Sequence, residues 1–568
     1  MKINNLSVDK EGVYLNPNAT IDYSDGNENE DYVYSTLKNS EDNSIFSPIL
    51  LKKVKNWSSE YHFSPYRCNI LRPINIDKSW SVLEIGGGCG SITRYLAETG
   101  AEIVSVEGSH NRSKCIVQRC KDLENVKVIC SNVEDLEFDQ KFDMITLIGV
   151  FEYTAKYSKK DNPYIEALRF YKSLLKPDGI LVIAIENKLG IKYFSGYVED
   201  HKGIPYYGLE NLYESRDVRT FGKKELNEMI ISADFFETAI LYPFPDYKLP
   251  KVIFSESAFD NNLLNVVDLI RLTKNRNYSP KPKANLLRDE LVWSSLHTNN
   301  LITHLSNSFL FVAKNAKVGN NIIDENQLAH FFACDRIEPW STSTTFKKDS
   351  KKITVSKKAL ISNSHYKISS GISIKQHLSQ NTPYITGNNF SFLMDNALVK
   401  KDYAEFKILF KQYINFLIQN AVVENRVENI GKTKIKPAYF DCLPANLIQE
   451  ESKQLNLIDT EWEIQQEFDL NFLIVRALLE YKNIWGLSIS FSKSFKTFVN
   501  NILLDNGLNP LSTSELKIIL VLDTQIFEQI MLENRNAPSK LLKSFIYLIK
   551  DKLFEVKSYI IDKTFVSR

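Results

Sequence analysis

The strongest constraint on this chain lies between residues 80 and 190, where short apolar runs alternate with amphipathic stretches. Ser81-Val82-Leu83-Glu84-Ile85 reads as a strand and Ser91 to Thr99 as a helix. Ala101 to Glu107 is again a strand, Ser113 to Leu123 a helix and Val126 to Cys130 a strand. Phe142 to Ile148 and Gly179 to Glu186 continue the series, with a helix over about 164–176 between them. Alternation at this spacing implies an α/β fold, a parallel sheet wound with helices on both faces. The first strand-helix junction is Gly86-Gly87-Gly88-Cys89-Gly90. Glycines there let the backbone turn tightly and let a ligand approach the main chain, and the helix that follows offers free N–H groups. Glu107, at the end of the second strand, stands where a carboxylate can accept hydrogen bonds from a ribose diol.

At 568 residues the chain exceeds what one core supports, so several domains are expected. Lys+Arg 70 against Asp+Glu 69 leaves a formal charge of +1, which excludes an overall basic field and argues against nucleic acid as a partner. The seven cysteines form no CxxC pair and have no histidine at metal spacing, so neither a zinc site nor a disulfide framework is expected. The N-terminus has no apolar signal region, and no run of apolar residues is long enough for a transmembrane helix. A cytoplasmic protein is expected. We divide it into a polar N-terminal extension (1–55), the α/β domain (56–318), a second domain (319–535) and a C-terminal helix (536–568). Thr238 to Tyr242 and Ser308 to Ala313 are expected to close the first sheet as an antiparallel edge.

The spacing GxGxG, with Glu84 two positions earlier, differs from the dinucleotide form and resembles motif I of class I S-adenosylmethionine-dependent methyltransferases. Asn132-Val133-Glu134 matches that family's adenine-contacting position. Phe142-Asp143-Met144-Ile145 resembles its fourth strand, and Leu174-Leu175-Lys176-Pro177-Asp178-Gly179 its turn before the fifth. The resemblance implies a Rossmann-like methyltransferase that holds S-adenosylmethionine with Glu84, Gly86, Gly88, Gly90, Glu107, Asn132 and Val133.

Tyr61-His62-Phe63-Ser64-Pro65-Tyr66-Arg67, Glu186-Asn187-Lys188-Leu189-Gly190, Glu199-Asp200-His201-Lys202-Gly203 and Tyr242-Pro243-Phe244-Pro245-Asp246-Tyr247-Lys248 further resemble methyltransferase domains of bacterial surface-polysaccharide synthesis, of O-antigen or capsule. This implies a saccharide, phosphosaccharide or lipid-linked glycan as acceptor. Methyl transfer is an in-line displacement from a sulfonium, so alignment matters most, with a base added when the acceptor is a hydroxyl. His201 is the candidate for base or acceptor positioning, and Tyr61 and Arg67 are candidates to close over cofactor or acceptor.

A second constellation follows. Asp441-Cys442-Leu443-Pro444-Ala445-Asn446 is succeeded by Leu455-Asn456-Leu457-Ile458-Asp459-Thr460-Glu461-Trp462. Phosphoryl transfer needs one carboxylate beside the attacking hydroxyl, and an Asn and a second Asp on Mg²⁺. The pattern resembles the aminoglycoside-phosphotransferase and choline-kinase branch of the kinase-like fold, an α+β domain. That resemblance implies Asp441 as base, Asn446 and Asp459 as Mg²⁺ ligands, and Lys357 on the ATP phosphates. Lys358 would point to the other face of its strand. Two features depart from the family: Tyr439 stands where it carries His, and Ser341-Thr342-Ser343-Thr344-Thr345 stands where a glycine-rich loop is expected.

After Pro538, Leu541 to Lys563 has helical spacing with five lysines among acidic residues. Such a helix suits an anionic membrane surface, which would make the protein peripheral at the inner face, and equally suits packing on the second domain or an oligomer contact. Three functions remain open. The first is a methyltransferase-kinase, similar to those that terminate O-antigen chains. The second is a methyltransferase with a kinase-derived docking module. The third is a scaffold that recruits a glycan polymerase.

Overall fold

The computed structural model describes residues 6–17, 26–158, 160–273, 287, 289–316, 322–361, 373–423, 429–484 and 495–531. The C-terminal helix expected over 541–563 lies outside the described residues. The chain divides into two compact units, residues 1–334 with 342–355 and residues 335–341 with 356–568.

In the first unit, in chain order, β1 (Ser7–Val8) and β2 (Tyr14–Leu15) precede helices α1 (Asn27–Asn39) and α2 (Trp57–Phe63). Then follow β3 (Ser81–Ile85), α3 (Ser91–Glu98), β4 (Glu102–Glu107), α4 (His110–Arg119), β5 (Val126–Cys130), β6 (Phe142–Ile148), α5 (Pro163–Leu174) and β7 (Leu175–Glu186). Strands β8 (Glu237–Phe244), β9 (Val252–Ser255), β10 (Ser308–Lys314), β11 (Gln327–Ala333) and β12 (Thr342–Asp349) complete the unit. The sheet order is β1-β2-β5-β4-β3-β6-β7-β10-β8-β9-β11-β12. From β2 to β7 the pairing is parallel, with Ile85 opposite Val106 and Leu83 opposite Ile145. The central strands are buried on both faces, which is why they read as continuous apolar runs rather than alternating ones. This register brings Gly86, Glu107, Gly149 and Glu186 to the carboxyl ends of β3, β4, β6 and β7, the edge at which open α/β sheets bind ligands.

Three boundaries differ from expectation. The described part of the polar extension packs on the α/β domain: Val33 and Leu37 of α1 pack with Leu50, Phe63, Cys89 and Cys115, and buried Glu30 pairs with Arg112 at 2.9 Å. It reads as polar because the partner of Glu30 lies far along the chain. Strands β8 and β10 follow β7, with β10 antiparallel to both β7 and β8, but they are not the edge. Strand β9 pairs with β8, and β11 with β9 and then β12, so the sheet runs past residue 318 and covers backbone that an edge would expose. Helix α4 also begins earlier, at His110.

The second unit has an α+β composition. Its core is formed by the helices Phe390–Val399, Tyr403–Asn420, Leu470–Ile484, Phe495–Asp505 and Thr513–Ile530, through residues such as Phe410, Tyr413, Leu473 and Leu520. A hairpin, Leu447–Gln449 antiparallel to Leu455–Leu457, lies between the second and third of these helices. The strand Trp462–Ile464 pairs with Ile374–Gln376. Among the described residues no helix is long and apolar enough to cross a membrane.

Candidate active site

The glycine loop opens a cavity of about 630 Å³ in the first unit. Gly86 has φ +73°, and a Cβ there would run into the Val150 side chain. Gly88 has φ +56°, but a Cβ there would meet nothing within 4 Å, because the position faces the open cavity. The two glycines therefore serve different ends, close packing for the first and ligand room for the second.

Glu107 closes the loop from β4. Its Oε2 accepts from the Gly88 N–H at 2.8 Å and its Oε1 from the Ser109 N–H at 2.9 Å. Each oxygen keeps a lone pair for a ribose hydroxyl. Burial raises the pKa of this carboxyl, while Arg112 and the two amides oppose the rise. Glu84 borders the same cavity, yet its Oε2 is taken by Thr93 Oγ1 at 2.5 Å and Ser105 Oγ at 2.7 Å. It ties β3 to α3 and β4, and burial pushes its carboxyl up to about 7. Asn132 and Val133 line the cavity beyond β5, and Gly90 caps α3 with a left-handed backbone. The Arg67 guanidinium lies 4.5 Å from the Tyr61 ring centroid and donates to the Tyr247 carbonyl at 3.2 Å, so all three wall the cavity as one stack.

The opposite wall brings two buried acids to His201. Glu152 follows β6, Glu186 ends β7, and both are buried against the cavity. His201 approaches from the loop beyond β7. Its Nδ1 is 3.2 Å from the Tyr153 hydroxyl and its Nε2 is 3.9 Å from Glu186 Oε2. Its backbone N–H is held by Glu199 at 2.8 Å. The flanking Asp200 turns elsewhere, to Lys192 at 2.6 Å, the Tyr193 hydroxyl at 2.7 Å and Lys248 at 2.8 Å. Burial alone would raise the Asp200 carboxyl, but the two ammonium groups hold it well below the usual range. Lys248 also lies 2.5 Å from Glu186 Oε1. Burial, followed by the neighbouring Glu186, pushes Glu152 well above the usual carboxyl range. The signal for Glu152 and Glu186 was positional: both stand at carboxyl ends of parallel strands next to the glycine loop.

In the second unit the hairpin gathers Asp441, Asn446 and Asp459. Asn446 Nδ2 donates to Asp441 Oδ2 at 2.9 Å, and the Ile458 N–H donates to the Asn446 carbonyl at 2.8 Å. Lys357, buried on its strand while Lys358 is exposed, forms an ion pair with Asp459 and another with Glu461 at 2.7 Å. Arg336 grips Glu461 with two bonds, at 2.5 and 3.0 Å. Arg476 lies 3.1 Å from Asp441. Burial raises the Asp441 carboxyl, with Arg476 opposing. Local sequence assigns no role to Glu461, Arg336 or Arg476, because their partners are distant along the chain.

Residues 83–183 match the family model described as a methyltransferase domain. The ribosomal RNA small subunit methyltransferase A of Streptococcus equi subsp. zooepidemicus is 36% identical over 69 residues, covering 11% of this chain and 24% of the relative. That of Streptococcus sanguinis is 29% identical over 99 residues, covering 17% and 30%. The chain thus spans about a quarter of the length of the curated relatives it matches. Among solved structures, the N-methyltransferase NodS from Bradyrhizobium japonicum, bound to S-adenosyl-L-homocysteine, overlaps 50% of this chain and 100% of its own with 11% identity and a TM-score of 0.27. The phosphoethanolamine N-methyltransferase 2 of Haemonchus contortus, bound to S-adenosyl-L-methionine, overlaps 44% and 52% with 18% identity and a TM-score of 0.26. The match to the methyltransferase-domain model therefore falls on the Rossmann-like part of the first unit, covering the glycine loop and the parallel strands around it.

Proposed function

We propose that this chain transfers a methyl group from S-adenosylmethionine to a hydroxyl of a bacterial surface polysaccharide, or to its phosphorylated terminus. The reading is carried by the cavity that joins the Gly88–Glu107 loop to His201. The methionine end of the donor lies over the glycine loop, its ribose on Glu107, its adenine toward Asn132 and Val133. The acceptor enters on the Glu152, Glu186 and His201 side. As the acceptor oxygen bonds to the methyl carbon, the C–S bond breaks with its electron pair on sulfur. The hydroxyl proton leaves, with His201 as base or as the group that orients the acceptor. The buried Glu186 carboxylate beside the acceptor favours a neutral hydroxyl over a phosphate, which it would repel. The glycan acceptor itself rests on the resemblance of the 61–67, 186–190, 199–203 and 242–248 segments. Partners of this protein would then be a saccharide or lipid-linked glycan and the polysaccharide-synthesis machinery at the inner face of the membrane, with no nucleic acid.

A kinase role for the second unit is supported by one observation, the convergence of Asp441, Asn446, Asp459 and Lys357. In this reading Asn446 and Asp459 hold Mg²⁺ on ATP, Lys357 takes the phosphates, and Asp441 receives the proton of a glycan hydroxyl. The docking-module reading is favoured instead by the full pairing of these side chains with one another.

Incubation with labelled methyl donor, Mg²⁺-ATP and an oligosaccharide from the same cell, followed by mass analysis, tests all of this. A product heavier by one methyl and one phosphoryl group supports both activities, and a methyl alone supports the docking module. Failure of the chain to bind S-adenosylhomocysteine in calorimetry would overturn the methyltransferase reading and leave a scaffold.

A further inference from the structure

Glu152, Glu186 and His201 present donor atoms that all lie within 4.8 Å of one another on the acceptor wall of the cavity. Two further facts separate this group from an ordinary acidic cluster. Glu152 and Glu186 are 1% and 0% exposed, and Glu152 Oε2, Glu186 Oε2 and His201 Nε2 make no hydrogen bond. Buried polar atoms are almost always satisfied, so three unsatisfied donors facing one point mark a ligand position. His201 is also held by its other nitrogen, which the Tyr153 hydroxyl contacts at 3.2 Å, an arrangement that fixes the ring of a metal-ligating histidine.

We propose that these three side chains bind a divalent transition ion, which in turn holds the acceptor oxygen. The proposal rests on the methyl-transfer reading above and assigns His201 the orienting role rather than that of base. Ligand bonds of about 2.1 Å allow donors up to about 4.2 Å apart, so shifts of well under 1 Å complete the site. Two carboxylates and one imidazole suit Mn²⁺, Fe²⁺ or Zn²⁺ better than Ca²⁺ or Mg²⁺, which take oxygen ligands throughout. The charge balance agrees. Lys192 and Lys248 pair with Glu186 and Asp200 but not with Glu152, so a dication supplies the counter-charge that Glu152 and the deprotonated acceptor need. Lys248 sits on Glu186 Oε1 and leaves Oε2 toward His201. Coordination to the ion acidifies the acceptor hydroxyl, whose proton passes to water. The oxygen then bonds to the methyl carbon as the C–S bond breaks toward sulfur.

The test uses the full chain with S-adenosylhomocysteine bound and Mn²⁺ as probe, read by pulsed EPR for coupling to an imidazole nitrogen. One Mn²⁺ with nitrogen coupling is expected, lost in His201→Ala and weakened at least tenfold in Glu152→Gln and Glu186→Gln. Asp459→Asn should leave that coupling intact, since the acidic set of the second unit holds no histidine. Mn²⁺ without nitrogen coupling, or coupling that survives His201→Ala, would overturn the proposal. Calorimetry of S-adenosylhomocysteine on the same samples shows that the variants are folded. If the wild type fails to bind it, the methyl-transfer reading fails independently of the manganese result.

Discussion

The two charged clusters of this protein both centre on buried carboxyl groups, but those groups are satisfied in opposite ways. On the acceptor wall of the first unit, Glu152 Oε2, Glu186 Oε2 and His201 Nε2 face a cavity without hydrogen-bond partners. In the second unit Arg336, Lys357 and Gln376 close on Glu461, while Asn446 and Arg476 close on Asp441. An unsatisfied buried carboxylate is stabilised by a ligand that supplies what the protein withholds. A satisfied one already has its counter-charges, so a nucleotide and its metal must displace pairs before they bind. Burying a charge is costly in either case, and the difference lies in who compensates it. The first cluster is arranged for a guest, whereas the second contributes to its own unit's cohesion.

The largest effect that would break this contrast concerns the donor loop. Gly88→Arg is expected to abolish S-adenosylhomocysteine binding in calorimetry, by at least about a thousandfold or about 4 kcal/mol. The arginine fills the space where a Cβ meets nothing within 4 Å. Retained binding would mean that the cavity is not the donor site. Next comes Glu461→Ala, which removes the buried carboxylate that the part-buried Arg336 and the buried Lys357 share. Burial alone would raise the Glu461 carboxyl, yet Arg336 and Lys357 hold it below the usual range. Breaking such a pair costs about 3–4 kcal/mol, to be read from chemical denaturation followed by a probe in the second unit. A loss under about 1 kcal/mol, the size typical of exposed pairs, would show that the cluster does not hold that unit together.

What the sequence made legible follows the same division. The strands of the parallel sheet and the glycine loop could be read because their signals are local: continuous apolar runs, a glycine triplet, and an acid at the end of the next strand. Phe142–Ile148 and Val126–Cys130 form where the periodicity predicts them. Glu107 reaches the Gly88 amide across neighbouring strands of a parallel pair, a juxtaposition the βαβ pattern itself implies. What escaped was long-range. Glu30 reads as solvated until Arg112 pairs with it, and Glu461 reads as a surface residue until Arg336 reaches it from before the hairpin. Strands β11 and β12 read as the start of a second domain because nothing local shows that β9 has an open edge. Asp200 was read as the neighbour of His201, but a shared loop does not fix where adjacent side chains point. Its carboxylate turns to Lys192 instead.

A smaller effect follows from Glu84, whose carboxyl burial pushes up to about 7 although Thr93 and Ser105 donate to it. Unfolded, it titrates near the ordinary 4.5. Between these values the folded chain binds more protons than the unfolded one, so stability falls as pH rises through the window. The full penalty above it is about 3 kcal/mol. Melting of the ligand-free protein between pH 5 and 8 should therefore decline more steeply in the wild type than in Glu84→Gln. Parallel curves would place the carboxyl in a wetter setting than its two hydroxyl partners indicate.

The smallest expected effect is the sharpest test of the contrast. Glu152 shares the burial of Glu461 but not its partners, and burial together with Glu186 keeps its carboxyl protonated well above the usual range. Glu152→Gln replaces a neutral acid by a neutral amide of nearly the same shape. With chelator present, its stability should stay within about 1 kcal/mol of the wild type at pH 6. As pH rises the wild type must either keep the proton or bury a charge beside Glu186, so the variant should become the more stable of the two. A large loss at pH 6 would mean that Glu152 has a protein partner after all, and the two clusters would then differ in sequence but not in kind.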